Sequence, residues 1–313
     1  MDALLNYGLK FLRKVFCKKN KQYCPVQYTG QEASDLIYEQ LKIDTPCMIA
    51  RFGSVELSCV INYLNIKDKN IQNYIRFIKG ERIFWEWSYE TRKSMRNNAG
   101  FFPVDNENLI NFSQLMLKCI PQVDILGSWL SDEIFVQNIL KAKTVRLPDI
   151  EPYYHDNPWS RILSGKTVLV IHPFVESIEK QYSQRNKLFL DQNVLPEFNL
   201  ETIKAVQSIA DNDCGFKTWF DALEAMKERI AQKKFDIAII GCGAYGFPLA
   251  AFIKEQGKKA VHLGGSTQIL FGIKGGRWDE HKQISKLYNE YWIRPSKNEV
   301  PDNFMNVENG CYW

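Results

Sequence analysis

The chain has 313 residues, 45% of them hydrophobic and 24% charged, with 19 Phe, 14 Tyr and 8 Trp and a formal net charge of +4. That suits one large α/β domain or two average ones around a buried core, and it excludes a disordered, collagen-like or low-complexity chain. No stretch approaches the roughly 20 apolar residues of a membrane span, and the N-terminus lacks the apolar core and cleavage site of a secretory signal, which predicts a cytoplasmic chain.

The basic excess is local. Residues 1–21 hold Lys10, Arg13, Lys14, Lys18, Lys19 and Lys21 against Asp2 alone, and the remainder is close to balanced. Leu4, Leu5, Leu9, Phe11, Leu12, Val15 and Phe16 recur there at spacings that make one helical face, the pattern of a basic amphipathic helix. Two uses fit it: peripheral contact with the anionic inner face of a membrane, or a first helix packed on the domain with its lysines in solvent. The near-neutral body carries no basic stripe, which argues against nucleic acid as a partner.

From residue 22 the chain alternates amphipathic stretches with short apolar runs that end in Gly, Pro or a small polar residue, the pattern of a parallel sheet. In chain order the spacing predicts a helix over 30–41, a strand over 47–51 and helices over 55–64 and 106–119. A strand over 123–126, a helix over 132–142 and a strand over 144–147 follow. Residues 151–165, with two prolines and little apolar periodicity, read as a boundary between lobes. Beyond them come a strand over 167–172, helices over 178–190 and 218–233, a strand over 236–240, a helix over 247–256 and a strand over 260–263. The expectation is a Rossmann-like open, mainly parallel sheet with helices on both faces, spanning residues 22–294. Residues 295–313 form a polar tail whose terminal Cys311, Tyr312 and Trp313 suit docking on the body.

The eight cysteines form no CxxC pair and sit mostly among apolar residues, as reduced core thiols would. The four histidines make neither HxH nor HExxH, which gives a dedicated zinc site little support.

Ligands of an open parallel sheet bind beyond the carboxyl ends of its strands, so the residues there are the candidates. Arg51, Gly53, Ser54 and Glu56 follow the first strand, and Gly127, Ser128 and Trp129 the second. His172, Glu176 and Arg185 follow the fourth. Gly241, Gly243 and Gly246, with Tyr245, make a GxGxxG between strand and helix, suited either to a phosphate at a helix N-terminus or to close helix–strand packing. Gly264, Gly265 and Gln268 follow the last strand, and Lys274 and Arg277 lie in a glycine-containing loop beyond it. Where a dinucleotide enzyme places an acid for the ribose, this chain has His262-Leu263-Gly264, which lowers the classical NAD reading. Asp149 and Glu151, followed by Tyr153, Tyr154 and His155, suit either a solvated turn or stacking on a sugar or base.

The segment Met48-Ile49-Ala50-Arg51-Phe52-Gly53-Ser54-Val55-Glu56 resembles the RFGDGE element of the GT-D-type glycosyltransferases of bacterial polysaccharide clusters. The run from Ile240 to Trp278 looks like the C-terminal half of such proteins, and His172 to Tyr182 like their middle segment, so the resemblance covers roughly residues 45–280. It implies a Rossmann-like hexosyltransferase that takes a nucleotide-sugar donor, a UDP-sugar, and a glycan or lipid-linked acceptor. In that family an acidic DxE pair is implicated in holding a divalent cation, Mn²⁺ or Mg²⁺, against the donor diphosphate. Here Ser54 replaces the first acid and Glu56 remains, as metal ligand, base or ribose ligand. Glu56 or Glu176 would deprotonate the acceptor, and Arg51, Arg185, Lys274, Arg277 and the Gly241 loop would neutralise the leaving group. The other readings are an NAD-type oxidoreductase using the Gly241 loop and a non-catalytic nucleotide-sugar-binding protein.

Overall fold

A computed structural model describes residues 2–16, 23–66, 70–80 and 85–313. Lys18, Lys19 and Lys21 of the basic segment lie outside the described residues. The chain opens with α1 (Asp2–Phe16) and α2 (Gln31–Lys42) before the first strand, β1 (Cys47–Ala50). Then come α3 (Ser54–Ile66), α4 (Ile71–Lys79), α5 (Tyr89–Asn97) and α6 (Asn106–Cys119). Next are β2 (Ile125–Ser128), β3 (Lys143–Arg146), β4 (Thr167–His172), α7 (Val175–Tyr182) and β5 (Asn199–Lys204). The last long elements are α8 (Trp219–Ala231), β6 (Ile237–Ile240), α9 (Gly246–Glu255) and β7 (Lys259–His262), and the short helices α10 (Ser266–Leu270) and α11 (Gly276–Asp279) follow.

The strands form one seven-stranded sheet in the order β3-β2-β1-β7-β6-β4-β5, every pairing parallel. Both faces are covered, which is why the central strands read as unbroken apolar runs rather than alternating ones. Met48, Ala50, Leu169, Ile171, Ala238 and Ile240 point into the core beneath α3, α6, α8 and α9. Their neighbours Cys47, Ile49, Val168, Val170, Ile237 and Ile239 point into the opposite core with α2 and α7. Side chains at the helix starts fix where the long helices begin: Asp105 accepts from the amide of Asn108 at 2.9 Å, and Thr218 and Asp221 cap each other's backbone at the head of α8. The carboxyl ends of β1, β7, β6 and β4 stand side by side and open onto one edge of the sheet.

Two predicted helices fall short. Residues 132–142 make only a 3₁₀ turn, Ser131–Phe135, because Glu133 turns inward to accept from the amides of Trp129 and Leu130, both at 3.1 Å, and from the hydroxyl of Ser128. Residues 178–190 are α-helical only to the end of α7, with a single 3₁₀ turn at Arg185–Lys187 beyond it. There Gln184 leaves the helical region at φ −121°, and the Tyr182 hydroxyl is tied to Phe198, donating to its carbonyl at 2.8 Å and accepting from its amide at 2.6 Å. The edge strand β5 escapes a search for apolar runs because its sequence NLETIK is mostly polar. Helices α4 and α5 escape for a similar reason, α5 burying only Met95.

Residues 151–165 cross from the β3 edge to β4 as short turns anchored by the buried Trp159, whose indole donates to the Ile150 carbonyl at 2.9 Å. The tail docks. Glu299 is buried and accepts from the amides of Ser177 at 3.2 Å and Ser296 at 3.1 Å, fastening the tail to α7. The Trp313 indole donates to the Glu299 carbonyl at 3.1 Å, and its ring lies against Phe174. All seven described cysteines are free thiols, and six of them are buried. No described helix is long and apolar enough to cross a membrane.

Candidate functional site

Beyond the carboxyl ends of β1, β7, β6 and β4 lies a cavity of about 430 Å³. Arg51, Gly53, Ser54, Glu56, His172, Gly241, Gly243, Tyr245, Gly264, Gly265, Gln268 and Arg277 all line it, so residues far apart in the sequence converge there as the strand-end reading expects.

Arg51 defines its floor. The guanidinium lies 4.7 Å from the Trp129 ring, and Trp129 is itself held by an indole hydrogen bond to the Phe52 carbonyl at 2.9 Å. Glu133 fixes the loop that carries Trp129, and burial holds the Glu133 carboxyl above its ordinary range despite those hydrogen bonds. Gly264 adopts φ +62°, and a Cβ there would sit 3.2 Å from Arg51 Nη1, so a glycine lets the cation lie against the end of β7. Among the described residues no carboxylate forms an ion pair with Arg51, and its buried Nε has no hydrogen-bond partner. Burial therefore lowers its pKa, and the more distant Glu56 opposes that only in part. A half-buried guanidinium of this kind suits an anion able to accept from its fork of donors.

Glu56 stands at the first turn of α3 and folds back over Gly53, whose missing side chain makes the room: a Cβ there would lie 2.0 Å from Glu56 Oε2. Burial raises the Glu56 pKa, opposed by its own backbone amide and by Arg51. A carboxyl raised in this way holds a proton more readily than an ordinary glutamate, which suits it to acid–base work. For a divalent cation the donor set is thin. Among the described residues no three His, Cys, Asp or Glu side chains are grouped so as to hold a metal ion, and Glu308, the other acid of the cavity wall, pairs with Arg277. One carboxylate fits a Mg²⁺ or Mn²⁺ held mostly by diphosphate oxygens and water, not a cage built by the protein.

Arg277 is already partnered. It pairs with Glu308 and donates to the Tyr312 hydroxyl at 3.2 Å, with its guanidinium 4.7 Å from the Tyr312 ring. Burial alone would lower its pKa, but Tyr312, Cys311 and Glu308 outweigh that and hold it above the ordinary arginine value.

The GxGxxG is first a packing device. A Cβ on Gly246 would fall 2.2 Å from the His262 ring, and one on Gly241 2.5 Å from the Gly264 carbonyl. The amide of Gly241 donates to Ile171 at 3.0 Å and that of Ala244 to Ala99 at 3.2 Å, so these two donors are unavailable to a phosphate. Gly246 itself is outside the cavity lining. His172 accepts at Nδ1 from the Phe174 amide at 3.0 Å, which leaves Nε2 carrying the ring proton. Burial presses its pKa to about 3, and burial with Arg51 presses that of His262 equally low, so both are neutral at working pH. Tyr245 stacks on Trp219 at 4.9 Å and its hydroxyl meets Ser208 at 2.8 Å. The Gln268 amide donates at 3.2 Å to the Tyr312 carbonyl, tying the tail to the cavity.

Several expected site residues lie elsewhere. Glu176 is the second residue of α7 and exposed, off the cavity lining. Arg185 faces Glu197 at 2.9 Å, and Lys274 lies over the Tyr288 ring at 5.2 Å, neither lining the cavity. The solvated turn expected at Asp149 and Glu151 is instead a buried polar knot. Asp149 takes two bonds from Arg146, at 2.8 and 3.0 Å, and its carbonyl meets His155 Nε2 at 3.0 Å. Glu151 accepts from Tyr153 at 2.5 Å and Ser266 at 2.6 Å, bracing the loop after β7 from behind, while the Tyr154 ring lies 4.9 Å from that of Tyr153.

The sequence gives little signal for other wall residues. Asn98, Ala99 and Gly100 come from the turn after α5, Gln207 and Ser208 from the loop after β5, and Glu308, Tyr312 and Trp313 from the tail. Only the aromatic end of the tail has a visible cue. Comparison of the chain with family models, with curated proteins and with solved structures gives no match.

Proposed function

We propose that the chain is a glycosyltransferase that moves a hexose from a nucleoside-diphosphate donor, a UDP-sugar, to a hydroxyl of a glycan or lipid-linked acceptor in surface polysaccharide or glycoconjugate synthesis. The observation that carries the reading is Arg51: a half-buried guanidinium without an ion-pair partner among the described residues, just beyond the carboxyl end of β1 in a parallel sheet, in a cavity of small-ligand size. The same Arg51 and Glu56 belong to the RFGSVE segment that resembles GT-D transferases, which supports the reading. The chemistry would take place on the cytoplasmic side, at the inner face of the membrane.

In this reading the acceptor oxygen bonds to the anomeric carbon as the bond from that carbon to the diphosphate oxygen breaks. The acceptor proton passes to Glu56, and the charge left on the diphosphate is met by Arg51 and, at the rim, by Arg277. Glu56 takes the base role because Glu176 lies outside the cavity. A bound divalent cation would add charge neutralisation at the diphosphate, with Glu56 its protein ligand. Ser54, standing where the family has an acid, specifically favours the second reading, a protein that binds the donor without transferring sugar.

The test is thermal unfolding with UDP, GDP, CMP, NAD or S-adenosylmethionine, each with and without Mn²⁺. A ligand at 100 times its Kd adds about 2.7 kcal/mol of stability. Stabilisation by UDP is expected, growing with Mn²⁺ if a cation joins Glu56. A response confined to NAD overturns the reading. Glu56→Gln should lower transfer by about 10²- to 10⁴-fold, the range of a lost acid–base group. Because burial raises the Glu56 pKa, its charge opposes folding as pH rises through that value, so the Gln variant should be no less stable at neutral pH. UDP binding with no transfer by the native chain favours the non-catalytic reading.

A further inference from the structure

The arrangement of α1 is unusual for a helix that only packs on a domain. It is joined to the body at Leu9, against Phe77 of α4 and Trp85, and by polar contacts beside it: Asn6 donates to Glu86 at 2.7 Å and Arg13 to the Phe77 carbonyl at 3.0 Å. The main apolar stripe is left outside. Leu5, Phe11, Leu12, Val15 and Phe16 are 45, 60, 38, 59 and 61% exposed. An amphipathic helix docked for stability alone would turn that stripe inward. The neighbouring α4 repeats the pattern, with Ile71 70% and Ile75 47% exposed and the basic residues Arg76 and Lys79 on the same short helix.

We propose that α1, with α4 beside it, is a docking surface for an anionic phospholipid bilayer. Charge selects the occupant. Lys10 and Lys14 are exposed along α1, and Lys18, Lys19 and Lys21 follow in the sequence, with Asp2 the one acid among residues 1–21. An anionic bilayer offers diffuse negative charge together with an apolar phase for protruding Phe, Val and Ile side chains, the combination that interfacial amphipathic helices use. A second hollow of about 290 Å³, lined by Lys10, Ser58, Asn62, Glu86, Ser88, Glu90 and Thr91, joins α1 to α3 and to the start of α5. The first residue of α3, Ser54, and the turn after α5, at Asn98, line the main cavity. The surface rests on α1 and α4 alone and is independent of the chemistry of the cavity.

The test is co-sedimentation of the full chain with vesicles of phosphatidylcholine containing phosphatidylglycerol and with vesicles of phosphatidylcholine alone. The chain should pellet with the anionic vesicles only, and release should follow added salt. The triple change Phe11→Ser, Val15→Ser and Phe16→Ser should weaken vesicle binding by about tenfold or more while leaving circular dichroism and any stabilisation by UDP unchanged. Wild-type chain left in the supernatant with both vesicles, or a triple variant that pellets like wild type, overturns the proposal. So does light scattering that shows a lipid-free dimer which the triple change dissociates, because the stripe then covers a second copy of the chain.

Discussion

The cavity holds two arginines in opposite electrostatic states. Arg277 is saturated by its own chain, with Glu308 and Tyr312 supplied by the tail. Arg51, at the end of β1, has an aromatic face beside it and no ion-pair partner among the described residues. A paired arginine at a half-open rim is worth little to folding, whereas an unpaired, half-buried one opposes it through desolvation. The difference shows which cation is left unsatisfied: Arg51, whose desolvation Glu56 offsets only in part, and not Arg277, which the tail already shares.

That contrast breaks most decisively at Arg51 itself. Arg51→Gln should weaken UDP binding by about 10- to 100-fold, in line with the loss of hydrogen bonds to a charged group, without lowering the melting temperature of the ligand-free chain. Calorimetric titration beside a thermal melt reads both. An unchanged Kd would show that the anion is received elsewhere.

The two buried histidines sharpen the comparison through pH. Both fall from the ordinary value of 6.5 to about 3 in the folded chain, so the unfolded chain takes up protons first as pH drops. Stability they contribute is intact above about 6.5 and is lost progressively as pH falls toward 3. The melting temperature should therefore decline steadily from pH 7 to about 4.5, by several degrees. Arg51 helps to depress His262, so Arg51→Gln should make the decline shallower, whereas Arg277→Gln should leave its slope alone. Equal slopes in the two variants would contradict the assignment of that field to Arg51.

The smallest expected effect is at the rim. Glu308→Gln frees Arg277 and removes a negative charge from the cavity wall, which should strengthen UDP binding by about two- to fivefold, the scale of a partly exposed ion pair. Weaker binding in that variant would instead make Glu308 a ligand-side residue, through a cation or a hydroxyl.

Much of this site was legible before any coordinates. Arg51, Gly53 and Glu56 follow an apolar run that ends at a strand terminus, and the chemistry of a parallel sheet collects at such ends. The glycines of 241–246 were legible as a motif but not in their role, because whether an amide points at a ligand or at a neighbouring carbonyl is decided by tertiary contacts. Glu176 and Arg185 misled through proximity in sequence. They follow His172 closely, yet α7 turns the one to solvent and the chain bends away before the other. Glu308 and Tyr312 were beyond reach, since a tail that bends back over the carboxyl edge leaves no periodicity to read. The helix expected over 132–142 failed at one residue, Glu133, whose inward hydrogen bonds to the Trp129 loop outweigh its helical propensity.

The pairing of β1 with β7, with Met48 opposite Ala260, has a consequence for how the chain reaches its native state. Synthesis delivers β1, β2 and β3 early, but the inner edge of β1 acquires its partner only with the last strand of the sheet. Until then the nascent chain displays a bare, fully apolar strand edge, the kind of surface that pairs with other chains. Arg51 meets Gly264 in that same late step, so the floor of the cavity comes into being when the sheet closes rather than as a feature of an early-folding half. Contacts so distant in sequence also slow folding, which makes the interval between the two halves the period in which this chain is most exposed to aggregation.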